Sequence, residues 1–525
     1  MKKNIIFSAI AVLSALVLSS CVQDLNVKPI DPNLSLPEDV LNSVSAYEQV
    51  LAKCYQGLSC SSSSGPDGSP DIDGVDGGFG QYMRALFYNN ELPTDEASVC
   101  WNDKTIYSLH GLNWTTSDVF VTAMFSRIYY QVSLCNEFIR RAKASSFADD
   151  ATMKQYIAEA RALRALSYYH AIDMFGNVPF ATEANSVGST GPDQISRKDL
   201  YDWLVTEIID FTPSLPAVGA NEYGRANQAL GQMLLAKLYL NSEVYTSGAE
   251  KDFDKCITVC KTIISEYPAL QANYQTNFMA DNNKSGEIIF AAEQDGVNTQ
   301  SYGATNFLIK ASIVSGNAAW QDYLGMNDGW GGLVVTPTFL DKFDSAHDKR
   351  YLFFDGGSYV DDDSRHTRDI TDYKLFKYGY TCLKFTNRTS DGGYGSALNF
   401  PDTDYPIFRA ADAYLMLPEA ELRANGSVSA EGLAAYNDVH TRAGLDAVNK
   451  ITLDNILDER GRELYWENFR RSDLIRFGKF TTNDYLWQWK GGVYEGQAVD
   501  SHFNLMPIPA SEVNANSKLT QNAGY

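Results

Sequence analysis

Residues 159–180 read EARALRALSYYHAIDMFGNVPF. Ala162, Ala165, Leu166, Tyr169 and Ile172 recur at the three- and four-residue spacing that places apolar side chains on one face of an α-helix. Gly176 and then Pro179 stop it, because glycine accepts a left-handed turn and proline cannot continue the ladder. The stretch from 116 to 147 carries the same period, so 116–147 and 151–175 are predicted to form a long helix pair. Val40 to Leu58, 197–211, 226–241 and 252–267 add further amphipathic helices, and more follow at 408–425, 430–443 and 452–479. Pro418 is expected to kink or restart the first of these last three, since it lacks an N–H and clashes with the preceding turn. Paired helices of this length suit tetratricopeptide-type stacking, although the repeat is too degenerate to be assigned from its period.

Between the helical blocks the character changes. Residues 268–405 are rich in Gly, Asn, Asp, Tyr and Thr, with short β-like pieces at Glu287–Ala291 and Leu333–Thr336. Residues 59–80 form a Ser/Gly/Asp loop that glycine and proline punctuate throughout. The expected fold class is all-α, a helix-pair scaffold with a loop-rich insert and short strands. No flexible linker divides it. One domain is expected over 39–525, with scaffold at 39–267 and 406–479, insert at 268–405 and an irregular end at 480–525.

The first residues address the chain. Lys2 and Lys3 precede an almost wholly apolar run from Ile5 to Leu18, too short to span a bilayer. Leu18-Ser19-Ser20-Cys21 closes it with small residues before a cysteine and offers no Ala-x-Ala site, so 1–20 reads as a bacterial lipoprotein signal. Cys21 is the expected lipidation site. Residues 21–38, with Pro29, Pro32 and Pro37, are a tether. The expected location is a membrane surface, held there by the lipid anchor. A net charge of −22, with no basic stripe, disfavours nucleic acid. Eight cysteines include Cys21. Cys256 and Cys260, four apart on a helix, read as small core residues, while Cys54 and Cys60 flank the Ser-rich turn and are candidates for a bridge. No Cys or His spacing suggests zinc.

Several stretches resemble, in order, the SusD/RagB family of outer-membrane glycan-binding lipoproteins of Bacteroidetes. They are 159–180, GRANQALGQMLLAKLYLN at 224–241, FRAADAYLMLPEAE at 408–421, ILDERGRELYWENFRRSDLIRFGK at 456–479, and the ending from Pro507-Ile508-Pro509 to QNAGY at 521–525. DGSPDIDGVDGG at 67–78, NELPTDE at 90–96, TNFMADN at 276–282, PDTDYPIFR at 401–409 and RRSDLIRFGKFTTNDYLWQWKGG at 470–492 are similar to starch binding within that family. The resemblance implies a tetratricopeptide-like scaffold, no enzymatic activity, an outer-membrane location, lipid-anchored and facing the cell surface, and a TonB-dependent transporter of the SusC type as partner. It also implies an arc of aromatic rings flanked by an acid, an arginine and an amide. Carried over residue by residue, the acid falls on Asp76, the arginine on Arg84, arc rings on Trp101, Tyr302 and Trp330, and the amide most nearly on Asn102. A further arc tryptophan falls on Val99.

The residues themselves agree with that carry-over. A sugar ring has an apolar face of C–H groups that packs on an indole or phenol ring, while charged and amide side chains fix its hydroxyls. Trp101, Tyr302 and Trp330 stand in polar, Gly/Asn/Asp-rich loops rather than on periodic apolar faces, where binding side chains concentrate. The plainer alternative is that each anchors its own loop. Trp466, Trp487 and Trp489 lie near amphipathic helical sequence and read as packing residues; Trp114, Trp203 and Trp320 carry no assignment. Asp281, Asp402 and Asp404 are a candidate set for a structural Ca²⁺, a hard cation that takes oxygen ligands; the alternative is Asx-turn chemistry without metal. Asp71-x-Asp73-Gly74 fails the EF-hand pattern, because Val75 and Tyr82 stand at ligand positions.

Catalytic signatures are missing: there is no His-Glu-x-x-His, no Gly-x-Ser-x-Gly and no phosphate loop. The expected function is capture of starch or maltooligosaccharides and their delivery to the transporter. The competing readings are the same machine tuned to another glycan, a glycoside hydrolase, which needs only two placed carboxylates, or a helical scaffold with no sugar site.

Overall fold

The computed structural model describes residues 40–66, 70–185, 188 and 191–525. The signal, Cys21 and the tether to residue 38 lie outside the described residues. Residues 40–50 contain the start of the first helix, α1 (Val44–Ser59); residues 51–525 form a compact unit.

Helix pairs build that unit. They are α2 (Tyr82–Asn90), α3 (Val119–Ala144), α4 (Ala151–Phe175), α5 (Arg197–Phe211), α6 (Gln228–Leu240) and α7 (Phe253–Glu266). Each packs on the next, α2 on α3, α3 on α4, and so on through α6 on α7. Asp118 and Asp150 start the long pair. Each accepts two backbone N–H groups of the first turn, which satisfies donors the helix itself cannot. Gly176 ends α4 at φ +71°, and a Cβ there would meet Leu505 at 3.0 Å, so a side chain is opposed by both backbone and space. Ala162, Ala165, Leu166 and Ile172 are fully buried, as their spacing predicts.

The insert carries α8 (Ala304–Ala311), and the scaffold resumes with α9 (Ala410–Asn425), α10 (Ala430–Arg442), α11 (Leu453–Leu464) and α12 (Arg470–Arg476). Helix α9 packs on α7, α10 and α11. It runs unbroken through the buried Pro418, so the expected restart does not occur. The predicted helix over 452–479 instead divides in two. Trp466 (φ +62°) and Asn468 (φ +71°) adopt left-handed backbone that no helix continues, and the Trp466 N–H is taken by Glu96 Oε2 at 2.9 Å.

Strands are short and antiparallel. β1 (Ser98–Val99) pairs with β3 (Leu333–Val334), and β2 (Ile288–Ala292) with β4 (Tyr405–Arg409). The second pair ties the insert to the scaffold and carries buried charge. Arg409, 1% exposed, donates to Glu467 at 2.7 Å, to Glu463 at 3.0 Å and to Glu287. Arg350 joins Asp348 and Glu459, at 2.8 and 2.7 Å, to the same network. The described cysteines are free thiols, Cys54 and Cys60 included; Cys256 and Cys260 are buried with their sulfurs 3.8 Å apart.

Candidate functional site

Three segments distant in sequence meet at one open cleft of about 630 Å³. Asp76, Arg84, Trp101, Tyr302 and Trp330 all line it, together with residues that sequence reading did not single out: Phe79, Asp103, Lys310, Asp328, Asn399 and Phe400.

Asp76 sits in the Gly-rich loop before α2. Its Oδ1 accepts the N–H groups of Gly78 (2.7 Å) and Phe79 (2.9 Å), which fixes the carboxylate in the turn while it remains exposed. Arg84 lies in the first turn of α2. Gln81 caps that helix, its Oε1 accepting from Arg84 N–H and from Ala304 N–H of α8, so one side chain locks the two elements together. The Arg84 guanidinium donates to Tyr88 Oη (2.9 Å) and to the Tyr302 carbonyl (2.8 Å). Its carbon stands 5.6 Å from the Trp101 ring centre and 5.5 Å from that of Trp330, within cation–π range of both.

The rings are held, not merely near one another. Trp101 follows β1 and donates Nε1–H to the Gly331 carbonyl at 2.6 Å. Gly332 makes this approach possible, since a Cβ there would stand 2.3 Å from the Trp101 ring. Trp330 is anchored by its backbone N–H on the Lys310 carbonyl at 2.8 Å. Its ring is inclined 59° to Trp101 at 6.3 Å and 76° to Tyr302 at 5.7 Å. Tyr302 in turn stacks on Phe400 at 5.8 Å. All four are half-buried. The result is a bent aromatic wall with cations behind it, Arg84 and the Lys310–Asp328 pair, and carboxylate and amide groups along its rim. Such a wall suits a ligand with apolar faces and many neutral hydroxyls, because the rings supply contact area and the rim supplies hydrogen bonds.

Two sequence expectations are placed differently. Asn102 is exposed and does not line the cleft; Asp103 beside it does, and the amide on the rim is Asn399. Val99 is buried in β1 opposite Leu333 and lines a different cavity, so it takes no part in the ring wall. Asn399 and Phe400 come from DGGYGSALNF at 391–400, whose only signal is two aromatic residues, Tyr394 and Phe400, in a glycine-rich loop.

A model of the SusD family matches residues 368–525. The starch-binding protein SusD of Bacteroides thetaiotaomicron is 34% identical, the match covering 99% of this chain and 98% of that one. The chain belongs to the SusD family. A SusD-like protein of Bacteroides ovatus is 24% identical over 72% of this chain and 70% of its own. Among solved structures, a SusD superfamily protein from Parabacteroides distasonis superposes with a TM-score of 0.72 at 20% identity, covering 92% and 99% of the two chains. Surface glycan-binding protein A from B. thetaiotaomicron, in complex with laminarihexaose, gives 0.67 at 21%, covering 91% and 99%. The SusD-family match over 368–525 includes Asn399 and Phe400 of the cleft; its other lining residues lie earlier in the chain.

The three aspartates named for calcium do not form one cage. Asp281 is taken up by Ser390, through N–H at 2.8 Å and Oγ at 2.6 Å, and by Lys284 at 3.2 Å. Asp402 and Asp404 instead line a separate cavity of about 470 Å³ with Glu293 and Asp295. Asp402 accepts from Gly296 and Ser396, and Asp404 from Gln294 N–H at 2.7 Å. Burial pushes the Asp404 carboxyl up to about 7. Among the described residues no three His, Cys, Asp or Glu side chains are gathered as a metal cluster. No described helix is long and apolar enough to cross a membrane.

Proposed function

We propose that this chain is a cell-surface lipoprotein that captures starch or maltooligosaccharides and hands them to a TonB-dependent outer-membrane transporter of the SusC type. The observation that carries the reading is the bent wall of Trp101, Trp330 and Tyr302 around Arg84, with Asp76 and Asn399 on its rim. An α-1,4 glucan curves, and inclined rings follow a curved chain better than a flat ribbon. The likeness over nearly the full length to a starch-binding protein supports the same substrate class. Capture without chemistry accounts for a cleft that is open and built of rings; delivery to a partner follows from the family resemblance and the signal at Cys21. A structural Ca²⁺ in this reading belongs at the cavity of Asp402 and Asp404, without Asp281.

The deciding experiment is a glycan panel against the purified chain: maltoheptaose, β-cyclodextrin, laminarihexaose and cellohexaose by calorimetry, with release of reducing ends from amylose followed in parallel. Maltoheptaose and β-cyclodextrin are expected to bind, the cyclic sugar at least as tightly because it loses less freedom. Cellohexaose is expected not to bind and reducing ends not to appear. Equal binding of cellohexaose, or steady hydrolysis of amylose, refutes the reading.

A further inference from the structure

A second cavity, of about 390 Å³, lies beyond the segment that supplies Trp101 to the first cleft. Trp101 and Asp103 line the cleft, whereas Ser98, Val99, Ile106 and Tyr107 line this cavity, so residues 98–107 border both. Its wall is again aromatic. Tyr373 stands between two rings, Tyr107 at 4.9 Å and 70° and Trp489 at 4.8 Å and 73°. The three make an angled bracket like that of the first cleft, and all are half-buried.

Trp489 packs edge-on against Tyr373 and Tyr494, as its sequence context predicts, but it is only half-buried and also lines the cavity. It holds a left-handed backbone, φ +68°, which a non-glycine residue adopts only when its surroundings impose it, and such residues concentrate at functional sites. Its Nε1–H donates to the Ile370 carbonyl at 2.7 Å, which fixes the indole with its ring toward the cavity bracket. Trp487, two residues earlier, is 1% exposed and lies in the core.

The polar groups are neutral. Apart from the Tyr107 and Tyr373 phenols, His110 is the sole titratable side chain among the lining residues. Its ring nitrogens face the carbonyls of Leu92 (2.8 Å) and Gln488 (3.0 Å), and burial lowers its pKa, so it is a structural floor rather than a ligand-binding cation. Among the described residues the Tyr373 hydroxyl and the Asn113 side-chain amide have no hydrogen-bond partner. A fixed aromatic bracket, a free amide, a free phenol and no net charge together select a neutral ring with an apolar face and hydroxyl edges.

We infer that the cavity bracketed by Tyr107, Tyr373 and Trp489 is a second carbohydrate site that takes a neutral glucopyranose unit, separate from the first cleft. It does not depend on which glucan the first cleft prefers.

The test is fluorine NMR of the full chain labelled with 5-fluorotryptophan, in which Trp489 and Trp330 report the two sites separately. Trp489→Phe and Trp330→Phe assign their resonances. Maltotriose and laminaritriose are added in separate titrations. At least one is expected to move the Trp489 resonance saturably, in the wild type and equally in Trp330→Ala. Tyr373→Ala should weaken that saturation about tenfold, the scale of one lost ring contact. Asn113→Ala, at an exposed position that bears no packing, should weaken it without altering the fold. A Trp489 resonance unmoved by both sugars to their solubility limit overturns the second site, whatever Trp330 does. So does a shift that disappears in Trp330→Ala, since it then reports the first cleft. A Trp330 resonance that stays still while Trp489 moves counts against the proposed first cleft alone.

Discussion

Truncating Trp330 separates binding from folding in this molecule. The ring is half-buried, and its neighbours are ring edges, Trp101 at 6.3 Å and Tyr302 at 5.7 Å, with Arg84 and Lys310 each 5.5 Å from its centre. A sugar seated on the indole removes about 80 Å² of apolar surface from water, worth about 2 kcal/mol at about 25 cal/mol per Å². Trp330→Ala is therefore expected to weaken maltoheptaose binding about thirtyfold. The fold loses cation–π contacts to half-buried Arg84, at about 0.5–1 kcal/mol, and to buried Lys310, at about 2 kcal/mol, so its stability should fall by no more than about 3 kcal/mol. Trp320 provides the contrast. It is fully buried, and Trp320→Ala should cost about 3–5 kcal/mol of stability through the cavity it leaves. Folded Trp320→Ala protein should retain near-normal affinity, since Trp320 does not line the cleft. Calorimetric titration paired with urea unfolding of both variants reads all four quantities. The reasoning is refuted if Trp330→Ala binds within about twofold of wild type, a change below the energy of any ring contact.

Four other outcomes are expected. His170 is buried with its pKa lowered to about 4, against 6.5 for a free imidazole, so the stability it contributes is complete above pH 6.5 and lost as pH falls toward 4. The unfolding free energy from denaturant titration should drop over that window, by on the order of 3 kcal/mol from this group, and His170→Gln should flatten the drop; an unchanged slope would be the contrary result. Arg470 grips Asp95 through two bonds of 2.7 and 2.8 Å, both residues buried, so Arg470→Ala should cost about 3–5 kcal/mol by stranding the carboxylate, and Asp95→Asn combined with it should restore part of that. Thermal melts should rise with added Ca²⁺ in wild type and in Asp281→Asn but not in Asp404→Asn; a response lost in Asp281→Asn instead would restore Asp281 to the set. Cys21→Ala should move the protein from the membrane fraction to the soluble one with glycan binding unchanged, as fractionation and calorimetry would report.

The helices were legible because burial on one face imposes a period that survives in one dimension: Ala162 to Ile172 announce α4, and Gly176 and Pro179 announce its end. Trp101, Tyr302 and Trp330 were legible for the opposite reason, as large rings in loops with no periodic face to bury them. Their company was not. Residues 76–103, 302–330 and 399–400 meet only because Gln81 locks α2 to α8 and β1 pairs with β3, contacts that couple positions more than 200 residues apart. Hence the carry-over points to Asn102, whereas Asp103, Asn399 and Phe400 line the cleft. Two tryptophans two residues apart, Trp487 and Trp489, have the same sequence context; a left-handed backbone at the second turns it toward a cavity and leaves the first in the core. Buried charge is decided in the same way. No local pattern marks Arg409, Arg470 and their carboxylates as interior, yet they lie there, where pairing in three dimensions offsets the loss of water. Local pattern determines which segments become helices, because that depends on neighbours three and four residues away. Which side chains share a cleft depends on how those helices close on one another, and that is decided only in the folded chain.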